Sequence, residues 1–205
     1  MQEIEAKFYV ADLAVVRDRV LAQRGRQLKP KLLERNWRFD SADGRLRSSR
    51  QVLRLRQDDQ AHLTFKRSLG TPEERLEIEF GADDPQAARA FLEALGFNAF
   101  ASYEKRREVF DLGGAHIALD ELPYGPFVEI EAPTLEEVRR AASALGLDWE
   151  RRVQVNYLAL FDEFRNRLNL SFSDATFANF EGIPRLRPEE IGLKDAIQAI
   201  DGWSQ

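Results

Sequence analysis

Six stretches of this chain set charges at every second position against apolar residues in between, and that alternation constrains the fold more than any other feature. Over 51–57, Leu53 and Leu55 alternate with Arg54 and Arg56; over 61–67, Leu63 and Phe65 alternate with Thr64 and Lys66. Over 74–80, Leu76, Ile78 and Phe80 alternate with Arg75, Glu77 and Glu79. Over 126–132, Val128, Ile130 and Ala132 alternate with Glu129 and Glu131. The opening residues 2–10 set Ile4, Ala6, Phe8 and Val10 against Glu3, Glu5 and Lys7. Stretch 103–111 is charged on both parities, with Lys105 and Arg107 on one and Glu104, Arg106 and Glu108 on the other. A period of two is that of a β-strand, whose successive side chains point to opposite faces. With 33–39 and 115–121, which carries Asp120, the pattern predicts eight strands.

Helices are expected between some of these strands. Asp12 precedes the stripe Leu13, Val16 and Val20, closing near Gly25. Asp84-Pro85 opens a helix with Ala88, Phe91, Leu92 and Leu95, closing at Gly96. Thr134 and Glu137 form a capping-box pattern ahead of Val138, Ala141, Ala142 and Leu145, closing at Gly146. A fourth helix is expected over about 155–168. Gly113-Gly114 marks a hairpin, and Asp59-Gln60 lies at a second short turn. Three times an E-x-E strand leads into a helix that ends at glycine, followed by Phe-Asp: Phe39-Asp40, Phe110-Asp111 and Phe161-Asp162. The spacing suggests a repeated β-α-β unit. Residues 1–168 are read as one domain and 169–205 as a partly helical appendage that packs on it or on a second copy, which would make a homodimer. Phe172, Phe177, Phe180 and Trp203 are spread through that appendage.

Helices with apolar stripes can cover apolar strand faces from outside. The charged faces would then meet inside if the sheet closes, because a closed sheet encloses a lumen whose lining alternates with its exterior. The expected fold is therefore α+β, an antiparallel β-tunnel of eight strands, a closed barrel with helices outside. Its lumen would hold six cations, Lys7, Arg54, Arg56, Lys66, Lys105 and Arg107. Close cation pairs repel by roughly 4 kcal/mol at a near-surface effective dielectric, which a polyanion relieves. Guanidinium forks match phosphate oxygens in a bidentate way. Glu3, Glu5, Glu129 and Glu131 suit Mg²⁺ or Mn²⁺, hard cations that bridge carboxylate to phosphate. A ladder of structural salt bridges is the alternative explanation of the same pattern.

The totals fit this reading. Thirty basic and 35 acidic residues leave a net charge of −5, so no basic excess invites nucleic acid. The absence of cysteine excludes thiolate zinc sites, a cysteine nucleophile and disulfides. His62 and His116 match no metal-ligand spacing. MQEIEAKFYV lacks an apolar secretory core and no stretch approaches a membrane span, so a cytoplasmic protein is expected.

The ordered set of motifs resembles the CYTH, or triphosphate tunnel metalloenzyme, superfamily. Glu3-Ile4-Glu5-Ala6-Lys7 matches its E-x-E-x-K signature. Arg54-x-Arg56, Lys66 in Thr-Phe-Lys, Glu77-x-Glu79, Lys105-x-Arg107, Asp120 and Glu129-x-Glu131 follow in family order over about 1–162. The resemblance implies metal-dependent chemistry on a small triphosphate: tripolyphosphate, ATP or thiamine triphosphate. Carried over, Glu3, Glu5, Glu129 and Glu131 would ligate metal, with Glu77, Glu79 and Asp120 as further candidates. Arg54, Arg56, Lys66, Lys105 and Arg107 would hold phosphate oxygens. Lys7 is a phosphate contact or helps to activate the nucleophile; with Glu5, Arg56 and Lys66 it makes the expected catalytic set. Hydrolysis of inorganic tripolyphosphate is the favoured reaction. Class IV adenylate cyclase chemistry is the runner-up, followed by thiamine triphosphatase or a non-catalytic polyphosphate-binding module. For an adenine base, Trp37, Phe39, Tyr103 and Tyr124 are the aromatic residues that could stack.

Overall fold

The computed structural model describes residues 4–68, 75–184 and 187–198. Glu3, at the head of the first expected strand, and Trp203 lie outside the described residues. The elements run β1 (Ile4–Tyr9), α1 (Leu13–Ala22), β2 (Arg26–Ser41), α2 (Arg45–Ser48), β3 (Gln51–Gln57), β4 (Ala61–Ser68) and β5 (Arg75–Ala82). They continue with α3 (Pro85–Ala94), β6 (Phe97–Leu112), β7 (Ala115–Leu122), β8 (Gly125–Ala132), α4 (Leu135–Ala144), β9 (Arg152–Val153) and α5 (Tyr157–Leu168). The sheet order is β5-β4-β3-β2-β6-β7-β8-β1-β9, and every pairing is antiparallel.

The α+β architecture and the antiparallel sheet are as expected, and all eight predicted strands are present. Three details differ. A ninth strand, the two-residue β9, pairs with β1, and β5 and β9 end the order, so the hydrogen-bond ladder does not run full circle. The strands expected at 33–39 and 103–111 are the ends of two 16-residue strands, β2 and β6, which pair along their length with register shifts. Finally, α5 does not sit outside. Its Tyr157 packs on Phe127, which shares a strand parity with Glu129 and Glu131, so α5 lies against the inward face at one end.

The repeated unit is visible as β1-α1-β2 and β5-α3-β6, whose second strands hold Phe39-Asp40 and Phe110-Asp111; in the third copy Phe161-Asp162 falls in α5, in line with its helical sequence pattern. The caps are those read from the sequence: the carboxylate of Asp12 accepts from Ala14 N–H, that of Asp84 from Gln86 and Ala87 N–H, and Thr134 with Glu137 closes a full capping box. At the turn after α1, Arg24 takes the left-handed backbone (φ 61°), and Gly25 is needed for room. A Cβ there would sit 2.4 Å from Val20 Cγ1 and 2.9 Å from Val20 O. Gly113 and Gly114, with φ of 60° and 92°, make the two-residue hairpin between β6 and β7.

The main core lies on the outer side of the sheet, where Phe8, Val10, Phe110, Ile117, Val128 and Ile130 meet Val16, Val20, Val138 and Leu145 of α1 and α4. A smaller core packs Phe39, Leu55 and Leu63 under Leu92 of α3. With both outer layers apolar, the polar parity of the strands is left to face inward. Among the described residues, no helix is long and apolar enough to cross a membrane.

The segment after α5 returns to the sheet. Ala175 fills the edge of β6 that β7 leaves open, donating to Ser102 O and accepting from Glu104 N–H, both at 2.9 Å. Ala196 N–H donates to Tyr9 O at 3.0 Å, and Arg19 reaches Gln198 O at 2.8 Å. Ala175, Leu193 and Ala196 are buried. A chain ending at Leu168 is expected to melt on the order of 10 °C lower, since buried side chains contribute about 1.5–3 kcal/mol each and ladder bonds are lost with them. An unchanged melting curve for that truncation would mean the segment is a separable appendage.

Candidate functional site

Strand register determines which charges meet. Glu5 stands opposite Glu131 and Lys7 opposite Glu129 on β1 and β8; His116 and Ala118 of β7 flank the same two glutamates. Across the sheet, Asp120 faces Arg107, Lys105 faces Glu34, Asn36 faces both Tyr103 and Arg56, and Arg54 faces Arg38 and Thr64. Thr64 then faces Glu79, and Lys66 faces Glu77. Successive inward positions on eight strands thus line one cavity of about 690 Å³, to which α5 adds Tyr157 and its N-cap Asn156. A second hollow of about 250 Å³ shares Arg56, Arg107, His116, Glu129 and Glu131 with it. A larger hollow of about 830 Å³ lies away from these rows, lined in part by Phe177, Phe180 and Leu193. Among its charges Arg17 pairs with Glu108, and both Lys31 and Arg106 pair with Glu121.

Within the cavity the cations and carboxylates are interleaved. Asp120, fully buried, accepts from Arg107 through both oxygens at 2.6 Å, from Lys105 at 3.3 Å and from the Tyr157 hydroxyl at 2.8 Å. Arg107 also reaches Glu129 at 3.0 Å, and Lys7 lies 3.2 Å from the other Glu129 oxygen. Lys105 bridges to buried Glu34 at 3.4 Å. Glu79 gathers Arg56 at 2.9 Å, Arg54 at 3.7 Å and the Thr64 hydroxyl at 2.7 Å, while Glu77 holds Lys66 at 2.6 Å. The ammonium groups of Lys7 and Lys105 stand 4.5 Å and 5.4 Å from the Tyr157 ring centroid, close enough for cation–π attraction.

These neighbours set the protonation states. Burial alone would lower the Lys7 ammonium, but Glu129 and Glu5 outweigh it and leave its pKa above the ordinary lysine value. Burial raises the Glu129 carboxyl, and Lys7, Arg107 and Lys105 more than reverse that, holding it well below the ordinary glutamate value. Glu34 is likewise raised by burial and brought down from 4.5 to about 2 by Lys105, Arg107 and Arg54. Lys7 is therefore held as a cation at neutral pH.

Of the expected site residues, Glu5, Lys7, Arg54, Arg56, Lys66, Glu77, Glu79, Lys105, Arg107, Glu129 and Glu131 all line the one cavity, with Asp120 buried directly behind Arg107. Arg38, Tyr103, His116 and Tyr157 line it too, and Glu34 lies behind Lys105; none of these was singled out from the sequence as a charge or metal residue of the site. For Glu34, Asn36 and Arg38 a signal existed: polar residues at every second position, alternating with Trp37 and Phe39.

For a divalent metal, no three acidic or histidine side chains among the described residues converge as a ready ligand set. The donor chemistry nevertheless fits a hard cation. Glu5 and Glu131 are carboxylates directly opposite one another, an arrangement that costs energy by itself and that a cation between them relieves, and Glu129 stands two residues along the same face.

The CYTH domain profile matches residues 1–154. No curated protein matches the chain. Among solved structures, a Vibrio parahaemolyticus protein with the provisional name adenylate cyclase superposes with a TM-score of 0.71 at 19% identity, covering 79% of this chain and 98% of its own. A protein of Pyrococcus horikoshii superposes with a TM-score of 0.67 at 25% identity, over 77% of this chain and 98% of that one. A Hippeastrum protein, described as a provisional adenylyl cyclase with a dominant triphosphatase activity, covers 95% of this chain and all of its own, with a TM-score of 0.53 at 20% identity. The profile spans three quarters of the sequence, and the fold is shared: the chain belongs to the CYTH domain family.

Proposed function

We propose that this protein hydrolyses a small triphosphate, with inorganic tripolyphosphate favoured, in a metal-dependent reaction inside the charged cavity. The observation that carries this reading is the convergence of Arg54, Arg56, Lys66, Lys105 and Arg107 from three strands on one cavity. The Nε–H groups of Arg54 and Arg56 are buried there without a hydrogen-bond partner. Buried donors are normally satisfied, and phosphate oxygens would satisfy these.

Phosphoryl transfer asks the protein mainly for positioning and charge stabilisation. In this scheme Arg54, Arg56 and Lys66 hold one end of the triphosphate, Lys105 and Arg107 the other, and protonated Lys7 contributes charge between them. Asp120, Glu77 and Glu79 orient the cations they already hold. Glu5, Glu129 and Glu131 would hold Mg²⁺ or Mn²⁺, with Glu3 as the fourth expected ligand. When bound, such a cation supplies neutralisation of phosphate oxygens and activation of the attacking water. Cyclisation of ATP would need an adenine site instead. Trp37 and Phe39 pack in the outer core and Tyr124 among the aromatic residues of α5 and the following segment; of the four aromatic candidates, Tyr103 alone lines the cavity.

A panel of tripolyphosphate, ATP and thiamine triphosphate with Mg²⁺ or Mn²⁺, products resolved by chromatography, tests this. Orthophosphate and diphosphate from tripolyphosphate are expected to form fastest, and Glu5→Gln to lower turnover severely. Cyclic AMP as the main product would favour the cyclase reading, and full turnover in excess chelator would remove the metal from the scheme.

A further inference from the structure

Three of the inward cations meet one uncharged side chain. Tyr157, the first residue of α5, is buried at 7% exposure and lines the cavity beside Lys7, Lys105 and Arg107. Its ring centroid lies 4.5 Å from the Lys7 ammonium and 5.4 Å from that of Lys105. Its hydroxyl donates at 2.8 Å to Asp120 Oδ2, the oxygen that also accepts from Lys105 at 3.3 Å and from Arg107 at 2.6 Å. A residue that only filled space would have no use for that hydroxyl; phenylalanine packs the same helix at Phe161 and Phe164.

Lysine needs such a seat more than arginine does. Its ammonium is a compact point charge on a flexible four-carbon stem, and a carboxylate attracts it without fixing its direction. Glu129 holds Lys7 at 3.2 Å, while Asp120 and Glu34 hold Lys105 at 3.3 Å and 3.4 Å. The aromatic face adds a second, fixed direction, because its quadrupole attracts a cation placed over the ring. The ring itself has little room to turn. Phe127 meets it at 5.4 Å with 70° between the planes, the Tyr124 hydroxyl donates to the Tyr157 carbonyl at 2.7 Å, and Asn156 caps the helix by accepting from Ala159 N–H at 3.0 Å. Burial, with Asp120 and Glu129 adding to it, pushes the Tyr157 hydroxyl well above the ordinary tyrosine range, so it stays a donor. From this geometry we infer that Tyr157 is a positioning residue of the phosphate site. Its ring seats Lys7 and Lys105, and its hydroxyl, through Asp120, sets Arg107, so one side chain of α5 aligns three cations on the same ligand. This rests on the reading of those cations as phosphate contacts and adds the group that registers them.

The test is calorimetric titration of the full chain with the imido analogue of tripolyphosphate, which resists hydrolysis, in the presence of Mg²⁺. Affinity and stoichiometry are read separately: loss of folded protein lowers the number of sites, whereas misplaced cations weaken every site. Tyr157→Leu is expected to bind about tenfold more weakly at unchanged stoichiometry, and Tyr157→Phe, which keeps the ring, about threefold more weakly. In a Lys7→Met background the cost of Tyr157→Leu should fall to about threefold, because the ring has lost the nearer of its two cations. Glu129 keeps Arg107 in that background. Phe161→Leu, buried on the same helix, is the control for lost packing and should keep wild-type affinity. Should Tyr157→Leu not fold, pentafluorophenylalanine in place of Tyr157 carries the test. It keeps the shape, reverses the charge of the ring face, and should bind about threefold more weakly than Tyr157→Phe. Wild-type affinity in either tyrosine variant overturns the proposal, as does an equal loss in Phe161→Leu or a full tenfold cost in the Lys7→Met background. Equal binding by the phenylalanine and pentafluorophenylalanine variants overturns it too. Absence of binding to wild type would sink the phosphate reading together with this one, whereas binding that is indifferent to Tyr157 sinks this one alone.

Discussion

Replacing Asp120 with alanine should destabilise the protein by about 3–5 kcal/mol and lower its melting temperature by roughly 6–20 °C. The carboxylate is fully buried and neutralises two cations, Arg107 and Lys105, while also accepting from Tyr157. Its removal leaves those groups enclosed with less compensation, the costly way to break a buried ion pair. Asp120→Asn should cost less, because the amide oxygen can still accept one bond, but the lost charge should still weaken the hold on Arg107. Turnover should fall in both variants, since a cation displaced by an ångström no longer meets its phosphate oxygen. The sequence also offered Asp120 as a metal ligand, and the same variants separate the roles. An orienting residue lowers stability in metal-free buffer, as measured by urea unfolding. Unaltered stability with weakened metal affinity would assign Asp120 to the metal instead.

The inward rows were legible because strand geometry converts a period of two into a shared face. Arg54-x-Arg56, Glu77-x-Glu79 and Glu129-x-Glu131 all stand where alternation puts them. The stretch around 103–111 was charged on both parities and so gave no face of its own. The structure explains the outward set by long-range partners: Glu104 accepts from Phe177 N–H, Arg106 pairs with Glu121 and lies over the Phe177 ring, and Glu108 holds Arg17 and Gln27. Those partners are up to 91 residues away, which no local pattern encodes. The same limit hid Tyr157. As the first residue of an amphipathic helix it reads as packing, and only the placement of α5 against the inward face brings its hydroxyl to Asp120 and its ring beneath two lysines. Sheet closure was over-read for a related reason. Alternation specifies which side is inside; it does not specify that the last strand finds the first.

Arg56→Ala should remove most of the protection that tripolyphosphate gives and slow turnover by about 10²–10³, the usual loss when one donor to a developing anionic charge is deleted. Arg56 is 17% exposed, holds Glu79 at 2.9 Å and keeps its Nε–H buried without a partner, so it has one structural bond and donors to spare. A ligand that binds only the folded state stabilises by mass action, about 2.7 kcal/mol at a hundredfold excess over its dissociation constant. Wild type should therefore melt several degrees higher with tripolyphosphate than with chloride of equal ionic strength. In Arg56→Ala that gain should shrink sharply while the ligand-free melting temperature falls only modestly, because Glu79 keeps Arg54 and Thr64. Arg89→Ala is the control. Arg89 sits on the solvent side of α3 in an exposed pair with Glu93, so its loss should change stability by no more than about 0.5 kcal/mol and leave the ligand shift intact. A purely structural ladder of charges makes the opposite forecast: Arg56→Ala destabilises the free protein, and tripolyphosphate confers no special protection on either form. Equal ligand shifts in wild type and Arg56→Ala would take Arg56 out of the phosphate site, and no shift in wild type would leave the inward charges as structure alone.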